Sequence, residues 1–361
     1  VTSEASTGEK GGVRPRPTLA AVARLAGVSV STASLAFSGA GPVSDATKAR
    51  VAAAADELGY AGPDPRAQSL RRGRSGIIGV VIEERLSDAF RDPMNIALLD
   101  GIADVTGAAG SGLLLLTETG DDRAGISSAP MDAIILIGCS TSLEEAVAIV
   151  RQRGLPIVAV EARELEGVLP IGLDNRAASA TGARHLRSLG HSDIGVVTLP
   201  LERSHVPRPL PADWERVATA HTSAERLRGV LDVYPEARGF AASASTIEAG
   251  REAGLALLAG DRATVPTAIV AQSDLLAIGV IRAADEVGMI VPGDLSVVGF
   301  DGIRGEVLGG IDLTTLVQPA VEKGRAAGRA ALQLLDGGPA EPADFTSVFH
   351  PGGTTAPPRT R

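Results

Sequence analysis

Apolar positions along the first part of the chain recur at helical spacing. Leu19, Val22, Ala23 and Ala26 fall on one face of a helix over about 19–26, which Thr18 is suited to cap. Gly27 then supplies a residue that tolerates positive φ, and Val28 is placed to plug the angle between two helices. Ser29 can cap a second helix in which Ala33 and Phe37 face inward, while Val30, Ser31, Ser34 and Leu35 lie on or near the outward face. A third helix is predicted after the cap Ser44, with Val51, Ala55 and Leu58 as its stripe and Gly59 as its stop. Two short helices around a tight turn, with a third behind them, is the helix-turn-helix layout, whose second helix enters the major groove of DNA. The alternative is a plain three-helix bundle. The run Ala26-Gly-Val-Ser with Thr32, and the arginines around it, favour DNA.

From Gly76 the period changes. Short β-branched and leucine-rich runs at 77–82, 113–117, 133–137 and 156–160 alternate with helical patterns at about 93–109 and 143–153. The alternation resumes with helices at about 177–189, 223–234, 246–258 and 275–287 and strands at 194–198, 268–271 and 295–300. Two successive βα arrays predict two doubly wound parallel-sheet lobes, with a ligand cleft at the carboxyl ends of the strands. The segment 199–222 lacks either period and carries Pro200, Pro207, Pro209 and Pro211 with the sole tryptophan, Trp214. It is expected to flank the cleft, with Trp214 either stacking on ligand or anchoring a surface loop.

Charge sharpens the picture. The 361 residues carry a net −9, yet residues 1–75 hold ten basic against six acidic side chains, a net +4 that leaves −13 for the rest. A basic head on an acidic body suits a head that meets phosphates and a body that does not. One cysteine, Cys139, permits no internal disulfide, and it follows a strand without an evident base. No apolar run approaches the roughly 20 residues of a membrane span, and residues 1–16 read as a disordered tail without a secretory core; a cytoplasmic protein is expected. His185 and His191 are better placed for structural hydrogen bonds than for metal. No Gly-x-Ser-x-Gly elbow, Walker loop or Gly-x-Gly-x-x-Gly turn occurs, so neither an enzyme nor a cofactor is expected.

The run Val22-Ala-Arg-Leu-Ala-Gly-Val-Ser-Val-Ser-Thr32, with Val43-Ser44, Arg50-Val51 and Glu57-Leu-Gly-Tyr60, resembles the head of the lactose-repressor (LacI/GalR) family of bacterial transcription regulators. Ala67-Gln-Ser-Leu-Arg-Arg-Gly-Arg74 resembles the family's hinge helix, whose leucine, Leu70 by position, wedges into the minor groove. Asp174-Asn175, His185-Leu-Arg-Ser-Leu-Gly-His191, Arg226-Leu-Arg-Gly229, Ser273-Asp274, Val291-Pro-Gly-Asp-Leu-Ser-Val-Val-Gly-Phe-Asp301 and Thr354-Thr-Ala-Pro-Pro358 extend the likeness over about 18–358.

The resemblance implies a helix-turn-helix head at 17–62, a hinge at 63–75 and a periplasmic-binding-protein-like sensor at 76–361. The chain would cross between lobes near 172–174, 315–318 and Gly337, dividing the sensor into an N-lobe (76–172 and 318–336) and a C-lobe (174–316 and 338–361). The residues implied at DNA are Thr18, Ser29, Val30, Ser31, Thr32, Ser34, Leu35 and Arg50 in the head and Ala67, Leu70 and Arg71 in the hinge. Those implied at a small-molecule effector, sugar-like by this analogy, are Glu161, Arg226, Ser273, Asp301 and Gln318, with Trp214 added from its loop; Asp274 reads as a helix cap. The partners implied are operator DNA, a second copy of the chain as a dimer or tetramer, and the effector.

Two departures matter. Leu35 stands where the family often has an arginine that reads guanine, so the operator should differ at that base pair. Asp92-Pro-Met-Asn95 replaces an Asn-Pro-Phe-Phe run, removing an aromatic platform for sugar rings. The rival readings are a transporter's solute-binding protein, which shares the body but not the basic head, and a doubly wound enzyme.

Overall fold

The computed structural model of the chain describes residues 17–39, 41–62, 73–82, 89–117, 124–137 and 141–359. Two compact units divide it, residues 1–75 and 76–361. The hinge residues Ala67, Leu70 and Arg71, the tail 1–16 and Cys139 lie outside the described residues.

The head contains helices α1 (Leu19–Leu25), α2 (Val30–Ser38) and α3 (Asp45–Leu58). Each starts at a hydroxyl cap that accepts from a backbone N–H of the first turn: Thr18 accepts from Ala21, Ser29 from Thr32 and Ser44 from Thr47. At Gly27, whose φ is +65°, the chain bends by 104° between α1 and α2. Val22, Ala23, Ala26, Ala33, Val51, Ala54 and Ala55 form the small core, onto which Val28 packs. Phe37 and Tyr60 close it edge to face, their centroids 5.5 Å apart.

The body comprises β1 (Ile77–Ile82), α4 (Pro93–Ala108), β2 (Gly112–Thr117), α5 (Ala124–Ser128), β3 (Ala133–Ile137), α6 (Leu143–Gln152), β4 (Ile157–Val160), β5 (Leu169–Leu173), α7 (Asn175–Ser188), β6 (Ile194–Thr198), β7 (Arg208–Pro209), α8 (Trp214–Val217), α9 (His221–Leu231), β8 (Arg238–Ala241), α10 (Ile247–Leu257), β9 (Ala268–Ala271), α11 (Asp274–Glu286), β10 (Ser296–Asp301), β11 (Thr315–Val317), α12 (Ala320–Leu335), β12 (Ala343–Phe345) and β13 (Val348–His350). One sheet runs β12-β5-β4-β3-β1-β2, and a second runs β13-β11-β10-β9-β6-β8-β7. The first is parallel throughout; the second is parallel except at its two edge strands, β13 and β7. Apolar side chains cover both faces of each sheet. In the first lobe α4 and α12 fill one face and α6 the other; in the second α10 and α11 oppose α7 and α9.

Helix contacts in both lobes depend on glycine. A Cβ on Gly324 of α12 would stand 2.1 Å from the Leu98 carbonyl oxygen of α4, and one on Gly229 of α9 would stand 2.2 Å from the Arg176 carbonyl oxygen of α7. These close approaches set the depth of α12 and α9, and so the reach of their cleft-facing side chains.

The third crossing differs from the expectation at Gly337. Gly337 does adopt a left-handed φ of 72°, but it only ends α12. The chain then returns to the first sheet, where β12 pairs with β5, and passes to the second between Phe345 and Val348. Asp174, just after β5, accepts bonds from the Ser347 N–H (2.8 Å) and hydroxyl (3.0 Å), tying two crossings together. The segment 199–222 is also more regular than expected: β7 adds an antiparallel edge to β8, and α8 carries Trp214.

Candidate functional site

The head presents α2 outward. Val30 is 51% and Leu35 39% exposed, while Ala33 is fully buried behind them. The Ser29 hydroxyl caps α2 at the Thr32 N–H (3.1 Å) and shares hydrogen bonds with the hydroxyls of Ser31 and Thr32, both 2.8 Å away. The cap therefore fixes the side chains that begin the exposed face. Thr18 caps α1, Ser34 is half-buried, and Arg50 is exposed on α3. Leu35 covers Gly41, where a Cβ would lie 3.0 Å from its methyl.

In the body, four of the sequence-derived effector residues converge. Glu161 follows β4, Arg226 projects from α9, Asp301 ends β10, and Gln318 lies on the second crossing; all are buried. The Arg226 guanidinium lies 3.7 Å from the centroid of the Phe300 ring. It donates to Asn175 Oδ1 (2.7 Å), the Gln272 carbonyl (2.6 Å) and Glu161 Oε2 (3.3 Å), and lies 3.6 Å from Asp301 Oδ1. Asn175 Nδ2 donates to Glu161 Oε2 (2.9 Å), and Gln318 Nε2 to Asp301 Oδ1 (2.6 Å). Glu161 thus joins the lobes, and its backbone carbonyl accepts the Thr222 hydroxyl as well (3.1 Å).

Two of these residues hold unusual backbone. Glu161 has φ 58° and Asp301 φ 119°, conformations that cost a non-glycine residue about 1–3 kcal/mol and gather at ligand sites. Space lies beside them. A cavity of about 240 Å³ is lined by Met94 and Ala97 of the first lobe together with Asp301, Gln318 and Glu322. Another, about 320 Å³, is lined by Thr141, Glu144 and Arg163 of the first lobe and by Arg203, His221 and Arg228 of the second. Arg203 spans that opening to pair with Glu145.

The site separates its acids into two classes. Burial acts to raise Glu161, but the charges of Lys323 and Arg226 outweigh it and hold the carboxyl at about 2. Burial pushes Asp274 up to about 7 against hydrogen bonds from Thr315, Ile303 and Gly302. Burial also raises Asp301 well above the usual range; Arg226 opposes this, while Asp274 and Asp92 add to it. Asp92, which accepts from the Met94 N–H at the start of α4, is likewise raised by burial.

One sequence expectation changes, that for Asp274, and Ser273 and Trp214 have structural partners of their own. Ser273, expected at the effector, caps α11 by accepting from the Leu276 N–H (3.2 Å) and bonds the Ser245 hydroxyl (3.0 Å). Asp274, expected as that cap, instead accepts from Gly302 N–H, Ile303 N–H and the Thr315 hydroxyl, bracing the turn after Asp301. Trp214 is half-buried against the core of the second lobe, with Arg228 5.5 Å from its ring; neither cavity includes it, which favours anchoring over stacking. His191 bonds Thr267, Ser296 and the Ala356 carbonyl, and His185 bonds Thr355.

Lys323 of α12, not among the residues expected from the sequence, joins the cluster. It is 0% exposed, and its ammonium donates to Glu161 Oε1 and Gln318 Oε1. The available signal was a lysine in the buried Ala/Gly stripe Ala320, Lys323, Gly324, Ala327, Ala331.

Residues 18–62 match the model for bacterial regulatory proteins of the lacI family, and residues 183–355 match the periplasmic binding protein-like domain. An HTH-type transcriptional regulator of Mycolicibacterium smegmatis is 35% identical over 333 residues, spanning 87% of this chain and 89% of its own. The crystal structure of a LacI family transcriptional regulator from Corynebacterium glutamicum superposes with a TM-score of 0.71 at 28% identity, covering 94% of this chain and 98% of that one. The lac repressor dimer bound to operator and the anti-inducer ONPF shares the fold, with a TM-score of 0.75 at 23% identity over 94% of this chain and 99% of its own. A helix-turn-helix head, two parallel-sheet lobes enclosing a polar cleft, and kinship over most of its length lead to one conclusion: the chain belongs to the lacI family of bacterial regulatory proteins and is a DNA-binding transcriptional regulator.

Proposed function

We propose that the protein is a cytoplasmic, ligand-responsive repressor that binds a near-palindromic operator as a dimer and releases or tightens on it when a hydroxyl-bearing metabolite enters the cleft. The observation that carries this reading is the buried cluster of Glu161, Arg226, Asp301 and Gln318, contributed by both lobes and by a segment that crosses between them. Arg226 offers a planar donor fork and Asp301 an acceptor, the pairing that suits vicinal hydroxyls. A ligand that binds one lobe arrangement better than another shifts the population toward it, and operator affinity follows. The reading assigns the chain no catalytic step.

At the DNA, Thr18, Ser29, Ser31, Thr32, Ser34 and Arg50 serve the phosphates and base edges, Val30 and Leu35 make apolar contacts, and Ala67, Leu70 and Arg71 act from the hinge. Leu35 lacks the two donors that read guanine, so at that base pair the operator departs from the family's usual sequence, with thymine's methyl group a suitable partner. Selection of sites from random DNA, followed by gel shift with sugars added, tests the whole reading. Affinity on the order of 10⁻⁸ to 10⁻¹¹ M that falls with salt is expected. Binding indifferent to base order would overturn it.

A further inference from the structure

The effector reading leaves Lys323 unexplained, and any role for it in ligand choice rests on that reading of the cleft. Lys323 is wholly buried on α12, a helix whose other buried positions, among them Ala320, Gly324, Ala326 and Ala327, are all alanine or glycine and offer no side-chain partner for an ammonium. Among the described residues its ammonium donates to Glu161 and Gln318, two of the residues expected at the effector. These are two of the acceptors an effector's hydroxyls would otherwise use. Both remain tied on their other sides, Glu161 to Asn175 and Arg226, Gln318 to Asp301. Taking an ammonium out of water is costly unless a charge meets it, and here Glu161 meets it. The lysine stem acts as a tether that delivers a cation to an acidic pocket.

We propose that Lys323 is a specificity-determining residue, a tethered cation that fills the cation-accepting half of the cleft. It leaves the effector the half beyond Gln318, where Asp301, ion-paired to Arg226, lines the cavity of about 240 Å³. The ammonium therefore excludes amino sugars and other cationic ligands, by occupying Glu161 and by repulsion. Neutral polyols remain able to bond the Asp301 carboxyl and the Gln318 amide, which line the cavity.

The test reads ligand choice and chemical rescue in the full-length protein: glucosamine at pH 6.5 should raise the Tm of Lys323→Ala and not that of the native protein, and an equal response of the two would overturn the proposal. Lys323→Ala opens the site, and propylammonium chloride supplies the missing stem and charge. A saturable rise in Tm of about 2–4 °C is expected for K323A over sodium chloride at equal ionic strength. No such rise is expected with 1-propanol, with the native protein, with K323M (whose side chain fills the stem) or with the double variant K323A/E161Q. Should K323A be insoluble alone, its soluble yield with propylammonium against 1-propanol in the refolding buffer gives the same reading. Equal responses to the two additives, stabilisation of the native protein or K323M by propylammonium, or no rescue at all would each overturn the proposal. Operator binding by the native protein and its response to sugars are separate measurements, so failure here is distinguishable from failure of the effector reading.

Discussion

Glu161→Gln tests the electrostatics of the cleft directly, because glutamine mimics the protonated acid while removing its charge. In the native protein Lys323 and Arg226 overcome burial and bring the carboxyl from its ordinary 4.5 to about 2. At 1.36 kcal/mol per pH unit, that difference makes the ionised form worth about 3 kcal/mol to the folded state. The value meets the lower end of the roughly 3–5 kcal/mol lost when one partner of a buried ion pair is removed. The sign follows from the direction of the shift. A depressed folded-state pKa stabilises fully above the unfolded value, and the stabilisation drains away as pH falls from 4.5 toward 2. The variant should therefore be about 3 kcal/mol less stable than native at pH 7, with the gap narrowed by about 1 kcal/mol at pH 3.5. Urea unfolding followed by the fluorescence of Trp214 measures this, since the only tryptophan is half-buried against the core of the second lobe. A gap below 1 kcal/mol at pH 7, or one of equal size at both pH values, would refute the argument.

Other perturbations read other parts of the molecule. Asp274 has the opposite sign: burial raises its folded pKa to about 7, so its contribution is present at low pH and is lost as pH rises through 7. The stability of the native body should fall by about 4 kcal/mol from this group between pH 4 and pH 8, and Asp274→Asn should flatten that slope in a urea series. Leu35→Arg is expected to restore a preference for guanine by about 1–3 kcal/mol at one operator position, read by competition between duplexes differing there. Ser29→Ala removes the cap of α2 and should cost the head about 1 kcal/mol in thermal unfolding, with weaker operator retention in gel shifts. Gly324→Ala would place a methyl 2.1 Å from the Leu98 carbonyl oxygen, so a drop in Tm matching a loss of about 1–3 kcal/mol or more is expected, and an unchanged Tm would show that α4 and α12 part without cost.

How legible each part was in the sequence depends on the range of the interactions that build it. The head is written in neighbours. Thr18, Ser29 and Ser44 each cap a helix by reaching three residues along the chain, and Gly27 turns it, so spacing alone located all three helices. The strands without an apolar run carry no local signal. β8 contains Arg238 and Gly239, the latter flattened beneath Leu210, while β5 contains Pro170 and Gly172. Both are held by partners across a sheet rather than by their own propensity.

The cleft is the least local feature, and its residues were found unevenly for that reason. Arg226, Asp301 and Gln318 were placed through likeness to a family, whereas Lys323 bonds Glu161 across 162 positions with no local pattern to report it. What the sequence did contain was an inconsistency: one charge inside a helix face otherwise made of alanine and glycine. Consistent patterning builds a fold, and a break in it costs stability unless something elsewhere compensates. Here the compensation is Glu161, itself strained at φ 58°. Two departures from good folding practice, a buried lysine and a left-handed glutamate, thus coincide in one ion pair beside Asp301 and Gln318, and that coincidence marks the site more firmly than either residue alone.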